Sequence, residues 1–212
     1  MMVPIEEGSA LERVYAARSD AELAEAYAAW SGIYDQETAA LGYCLPFMIT
    51  SWVARHVPRG VGPLLDAGCG TGLSGPYLRA LGYAEVEGID FSQQMLDIAA
   101  ARAAYSRLTR AMLGGPLPFP DGHFAAFLST GVFTQGHAPA ASLHELVRIT
   151  RPGGLAIFTV RDSVLEAGGF LQVFGELERS GTWRPVEESP SFRAFAVGEP
   201  EVLVKAYVFA VL

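Results

Sequence analysis

The segment LLDAGCGTGLSG, Leu64 to Gly75, carries the densest chemical signal in the chain. A short apolar run leads straight into glycines at 68, 70 and 72, the pattern of a strand emptying into a loop and then a helix. Glycines are wanted where backbone N–H groups must close on a ligand that side chains would hold off. A tight turn without a ligand needs fewer of them. Gly70, Gly72 and Gly75 also meet the G-x-G-x-x-G spacing of dinucleotide loops, and Asp90 lies twenty residues after Gly70. Asp66 speaks against that ligand, because a carboxylate just ahead of the loop repels a pyrophosphate. It favours a ligand with a positive charge and an ammonium group, and S-adenosylmethionine has both.

Three motifs run in order between Leu64 and Gly154: D-A-G-C-G-T-G-L, then G-I-D-F-S-Q-Q-M-L, then L-P-F-P-D-G-H-F. Together they resemble the class I S-adenosylmethionine-dependent methyltransferases. The stretch GVFTQGHAPAASLHELVRITRPGG is further similar to the methyltransferase-like proteins of the Williams–Beuren region group. The resemblance implies S-adenosylmethionine as cofactor, leaving as S-adenosylhomocysteine. Gly68, Gly70 and Gly72, with Cys69 and Leu73 between and after them, would form the loop under its methionine part, supported by Asp66. Asp90 would accept hydrogen bonds from both ribose hydroxyls, a task for an acceptor-only side chain. Phe91 and Met95 would enclose the adenine, and Thr130 and Gly131 would line the methionine portion. Tyr34, beside Asp35, resembles the Y-D pair ahead of the glycine loop in many small-molecule methyltransferases. One departure is plain: where family members often carry an acid before L-P-F, this chain has Leu113, Gly114 and Gly115. Adenine would then be held by backbone groups, Gly114 among them, or by packing.

Methyl transfer from a sulfonium is an in-line displacement with an activated leaving group. The protein chiefly aligns the partners and excludes water, and a general base is needed only for a protonated nucleophile. In the loop STGVFTQGH, His137 is the one side chain titrating near neutral pH. It is either a base or substrate contact, or a loop histidine helping to start the helix after Pro139. The loop has no N-P-P-Y or D-P-P-Y run of the kind used on exocyclic amines of nucleic acid. The expected function is methyl transfer to O, N or S of a small molecule. An NAD(P)-dependent oxidoreductase and a non-catalytic S-adenosylmethionine-binding module are the alternatives. The first rests on the formal glycine match, the second on the missing acid.

Around these residues, short apolar runs alternate with helical segments from Leu64 onward, which argues for a parallel sheet covered by helices on both faces. Strands are expected at Leu64–Ala67, Glu85–Ile89, weakly at Arg110–Leu113, at Ala125–Ser129 and at Leu155–Val160. Helices are expected at Leu73–Leu81, at Ser92–Arg102 and from Pro139 to Ile149. Two extended tail stretches, Trp183–Val197 and Lys205–Leu212, are expected to pair as an antiparallel hairpin at the sheet edge. Ahead of the core, capping-box patterns at Ser9/Glu12 and Ser19/Glu22 mark helix starts, Leu23, Tyr27, Trp30 and Tyr34 share helical spacing, and a further helix runs from about Pro46 to His56. The fold class is therefore α/β. One domain is expected over residues 1–212: a doubly wound, Rossmann-like sheet over 61–212 and an N-terminal helical cap over 1–60.

Composition narrows the partners. Of 212 residues half are hydrophobic, enough for a sizeable core, so general disorder is excluded. Fifteen Lys and Arg against 23 Asp and Glu give a net charge of −8 with no basic cluster, so neither nucleic acid nor an acidic membrane surface is an expected partner. Cys44 and Cys69 make no disulfide framework, and His56, His123 and His144 show no metal-ligand spacing. The start of the chain lacks a signal-peptide pattern, and the uncharged run from Thr38 to Ala54 is short and broken for a membrane span. A cytoplasmic location is expected.

Overall fold

The computed structural model describes residues 20–212, so the patterns at Ser9/Glu12 and at Ser19 lie outside the described residues. Three helices come first: α1 (Asp20–Trp30), α2 (Tyr34–Ala40) and α3 (Leu45–His56). The sheet then begins with β1 (Leu64–Ala67), α4 (Ser74–Ala80), β2 (Val86–Asp90), α5 (Gln93–Ala101), β3 (Arg107–Arg110) and β4 (Phe124–Phe133). It is completed by α6 (Ser142–Arg148), β5 (Thr150–Arg161), the short α7 (Asp162–Leu165), α8 (Phe170–Arg179), β6 (Trp183–Glu188), β7 (Phe192–Arg193) and β8 (Leu203–Val211). Strand order is β3-β2-β1-β4-β5-β8-β6, with β7 also paired to β8. The first five of these are parallel, and β8 and β6 run antiparallel at one edge. This is the Rossmann-like α/β sheet expected from the alternation of elements.

All four residues of β1 are buried, as a strand covered by helices on both faces must be. On one face α6 and α8 close a core around Phe127, Phe158, Trp183 and Phe209. On the other, α3 and α4 bring Ile49, Val53 and Leu78 onto Leu64, Ala126 and Val208. The uncharged run from Thr38 is thus used inside the fold: Leu45, Ile49, Thr50 and Val53 of α3 are buried. Among the described residues no helix is long and apolar enough to cross a membrane.

Several boundaries differ from the expectation, each for a local reason. β3 lies three residues earlier than expected, because Ser106 N–H already bonds Val86 C=O and sets the register. The helix after Pro139 is regular only from Ser142, since Pro139 and Ala140 first make tight i→i+3 turns. Arg151 to Gly154 belong to β5 as a bulge: β4 advances two residues from Phe124 to Ala126 while β5 advances five, from Thr150 to Leu155. In the tail β8 lies inside, against β5, and β6 takes the edge. α8 is an element the sequence reading lacks altogether.

A candidate cofactor and acceptor site

The glycine loop leaves β1 at the carboxyl end of the sheet, where ligands bind in doubly wound folds. Gly68 has φ +77°, and a Cβ there would come within 2.4 Å of the Val132 methyl, so only glycine lets the loop close on β4. Beneath the loop two carboxylates are buried. Asp90, ending β2, accepts the Gly70 N–H on Oδ2 and the Ser92 N–H on Oδ1, both at 2.9 Å. Burial raises its pKa, against the pull of backbone N–H groups at Ser92, Gly70 and Phe91. Asp66 accepts the Tyr105 hydroxyl on Oδ2 at 2.7 Å. Burial pushes its carboxyl up to about 7; the Tyr105 bond opposes this and the Asp90 charge adds to it. Burial, with the Asp66 and Asp90 charges, also drives the Cys69 thiol well up, so Cys69 is no ready nucleophile.

The cap is tied to this loop. Asp35, in the first turn of α2, accepts the Thr71 hydroxyl on Oδ1 at 2.6 Å and pairs with the Arg102 guanidinium on Oδ2. Arg102 Nε donates to the Thr71 carbonyl at 2.6 Å, which closes a ring across α2, the loop and the end of α5. Trp30 is buried against Tyr27, Tyr34 and Phe91, seating α1 on the residue after Asp90. At the other end of the site, Tyr43 packs so close to Gly131 that a Cβ there would lie 2.3 Å from its hydroxyl.

His137 holds two hydrogen bonds. Nδ1 is 2.9 Å from the Gln135 carbonyl, which can only accept, so Nδ1 carries the proton. Nε2 then accepts from the Tyr27 hydroxyl at 2.8 Å. Burial lowers the pKa of His137, the Gln135 bond opposes that, and the Arg161 charge lowers it further. The ring is therefore neutral near pH 7.

These elements enclose a cavity of about 660 Å³, within the usual range for small-ligand sites. Tyr34, Asp66, Gly68, Cys69, Gly70, Leu73 and Asp90 line it, as do Phe91, Met95, Gly114, Thr130, Gly131 and His137. Gly72 does not. A Cβ on it would meet Ala99 and Tyr105 at 2.9 Å, so that glycine serves the packing of α5 under the loop rather than the wall. The wall from 111 to 116 holds no acid, only Ala111, Met112, Leu113, two glycines and Pro116. The sequence reading missed Thr71, Arg102 and Tyr105, and it used Tyr27 only for its helical spacing. Of the pair Tyr34–Asp35 it favoured the tyrosine, and the aspartate makes the loop contact. Among the described residues no group of three or more His, Cys, Asp and Glu could hold a metal ion.

Comparison with known proteins shows the family. Residues 65–158 match the model of the methyltransferase domain family. Over 209 residues the chain is 36% identical to methyltransferase-like protein 27 of Homo sapiens, covering 91% of this chain and 84% of that protein. A shorter match, 46% over 66 residues, is to the 18S rRNA (guanine-N(7))-methyltransferase of Bos taurus; it covers 31% of this chain and 23% of that one. Among solved structures, a chain from the complex of the Haloferax volcanii Trm112 methyltransferase activator with a methyltransferase superposes at TM-score 0.68. That pair is 17% identical, covering 87% of this chain and 95% of the other. The fold is also that of solved S-adenosylmethionine-dependent methyltransferases, at TM-scores of 0.56 to 0.63.

Proposed function

The chain belongs to the class I S-adenosylmethionine-dependent methyltransferases, and on that premise we propose that it methylates an O, N or S nucleophile of a small molecule, within the cavity described. Charge carries this reading. Two buried carboxylates, Asp66 and Asp90, face a cavity with no Lys or Arg among its described lining residues. Such carboxylates lean toward the neutral form, and both are raised here. A ligand with sulfonium and ammonium groups brings the missing positive charge. A nicotinamide dinucleotide would bring a pyrophosphate instead, of the wrong sign.

The residues fit that ligand in other respects. Each Asp90 oxygen is engaged by one backbone N–H and keeps a lone pair for a ribose hydroxyl. Phe91, Met95 and the acid-free wall from 111 to 116 suit an adenine held by apolar contact and backbone groups. When bound, S-adenosylmethionine supplies a sulfonium-activated methyl group. The chain has to align the acceptor and keep water out, and Tyr27, Tyr34 and Tyr43 line the cavity together with Gly131. Where the nucleophile arrives protonated, its proton passes to the Tyr27 oxygen while the Tyr27 proton moves to His137 Nε2, which the fold keeps neutral and hydrogen-bonded to that hydroxyl.

Calorimetric titration with S-adenosylmethionine, S-adenosylhomocysteine, NAD and NADP tests the site. Micromolar binding of the first two alone is expected, and Asp90→Ala should weaken it by about 1.5–3 kcal/mol, the range of a charge-assisted hydrogen bond. Binding of the nicotinamides alone would overturn the assignment of this cavity. Unchanged affinity in a folded Asp90→Ala variant would remove the ribose role.

A further inference from the structure

The large cavity carries a base that is arranged before any acceptor arrives. His137 closes the turn after β4, with its own N–H on the Thr134 carbonyl at 3.2 Å. Its Nδ1 proton is committed to the Gln135 carbonyl, and Nε2 accepts from the Tyr27 hydroxyl at 2.8 Å. Tyr27 is in turn wedged between two elements. Its ring meets Phe91, the residue after Asp90, edge-on at 5.7 Å, and the His137 ring edge-on at 5.8 Å. A hydroxyl gripped from both sides keeps its direction, which proton transfer requires. While it donates to His137, its oxygen can also accept. Tyr27 and His137 both line the cavity, as do Thr130 and Gly131.

The class of acceptor follows from what such a relay is good for. A neutral amine attacks with its own lone pair and sheds its proton after the methyl has arrived. A carboxylate is already ionised at neutral pH, and a thiol is partly ionised unaided. None of these needs a base set in advance. A phenol does, because it ionises only near about pH 10 and its neutral oxygen is a poor nucleophile. The walls agree, since the rings of Tyr27, Tyr34, Tyr43 and Phe91 suit edge or face contact with a flat ring.

We infer that the methyl acceptor is a phenol, whose hydroxyl donates to the Tyr27 oxygen and loses its proton through Tyr27 to His137. This rests on the methyl-transfer reading above. The phenol oxygen takes the methyl carbon from sulfur, and sulfur keeps the electron pair of the broken bond. The phenol proton goes to the Tyr27 oxygen and the Tyr27 proton to His137 Nε2. The resulting imidazolium returns a proton to water once product departs. Tyr27 of α1, Tyr34 and Tyr43 of the cap and Arg161 of β5 line a smaller space of about 70 Å³ with His137, while Asp66 and Asp90 share the large cavity with it. Burial and the Arg161 charge keep the ring neutral, so the base form is present from about pH 6.5 upward.

The test uses the whole protein loaded with S-adenosylhomocysteine, whose binding is measured first. The probes are 4-methylphenol and its methyl ether, 4-methylanisole, titrated to millimolar concentration by NMR. The phenol should bind about five- to tenfold more tightly than the ether, the worth of one hydrogen bond. Tyr27→Phe should erase that difference and keep S-adenosylhomocysteine affinity. At saturating S-adenosylmethionine, the wild type should methylate 4-methylphenol at a rate level between about pH 7 and 9. His137→Gln should lose about a hundredfold at pH 7 and recover toward about pH 10, where the phenol ionises unaided. A merely structural role would lower the rate equally at every pH. The inference is overturned by equal binding of phenol and ether, by a Tyr27→Phe variant that keeps the difference, or by a His137→Gln deficit independent of pH. Absence of methyl transfer to 4-methylphenol, with or without transfer to 4-methylaniline or 4-methylbenzoate, overturns it as well. Failure of S-adenosylhomocysteine itself to bind would instead bring down the reading beneath it.

Discussion

Asp66 shows how burial, rather than residue type, sets chemistry at the scale of one side chain. An ordinary aspartate titrates near 3.8, and burial, with the Asp90 charge adding to it and the Tyr105 hydrogen bond opposing it, pushes this one up to about 7. Its folded pKa is raised, so its contribution to stability is complete below about pH 4 and is lost as pH rises through 7. A cationic ligand reverses the preference, since it stabilises the ionised form. Binding of S-adenosylmethionine below pH 7 should therefore release a proton, and affinity should climb between about pH 6 and 8 before levelling. Calorimetry in two buffers of different ionisation enthalpy reads the proton directly. Asp66→Asn should abolish both the release and the slope, and a proton count unchanged in that variant would show that another group titrates. The sequence made Asp66 legible as a carboxylate of suitable sign. Its raised proton affinity was not, because that comes from burial in the finished fold, which the hydrogen bond from Tyr105, 39 residues later, only opposes.

Elements were readable where their signal is local. The β1 strand, the glycine loop and α5 with its Ser92 cap all follow from residues within a dozen positions, and Ser92 Oγ does accept the Met95 N–H. α8 has a usable pattern, with Phe170, Val173, Phe174 and Leu177 buried at helical spacing, but Gly168 and Gly169 ahead of it and Gly175 within it read as loop. That β8 rather than β6 joins β5 is a choice between two extended segments, and only long-range packing makes it. The ring of Asp35, Thr71 and Arg102 is equally non-local, since its partners stand 36 and 67 residues from Asp35. It also has a consequence for α2. With Asp35 40% exposed, the ion pair adds less than about 1 kcal/mol to stability, so its work is to hold the cap helix on the loop. Asp35→Ala should leave the melting temperature nearly unchanged, yet speed amide exchange across α2 and shorten the residence of S-adenosylhomocysteine. Exchange in α2 identical to wild type would show that Trp30 packing alone seats the cap.

Across the whole molecule, one sheet serves two ends: the glycine loop and both acids gather where β1, β2 and β4 terminate, while stacked rings such as Trp183 on Phe209, 3.9 Å apart, fill the far edge. This division leaves the outer surface to decide what kind of acceptor can approach. Relatives sharing the domain include one named for 18S rRNA, but that match spans under a third of this chain, and a shared cofactor fold does not transmit the acceptor. Charge is the better guide. RNA binding draws its strength from cations that displace condensed counterions, and it weakens steeply with salt. A chain with 15 Lys and Arg against 23 Asp and Glu has the opposite balance, and its large cavity offers a polyanion no Lys or Arg among the described lining residues. Fluorescence anisotropy of a labelled, structured RNA should accordingly show no binding to the S-adenosylhomocysteine-loaded protein at about 0.15 M salt and tens of micromolar, where basic nucleic-acid binders already engage non-specifically. Lowering the salt should produce little change, because few phosphate contacts exist to be strengthened. Tight binding with a steep salt slope would locate a cationic face that composition hides, and it would move the acceptor from a small molecule to RNA.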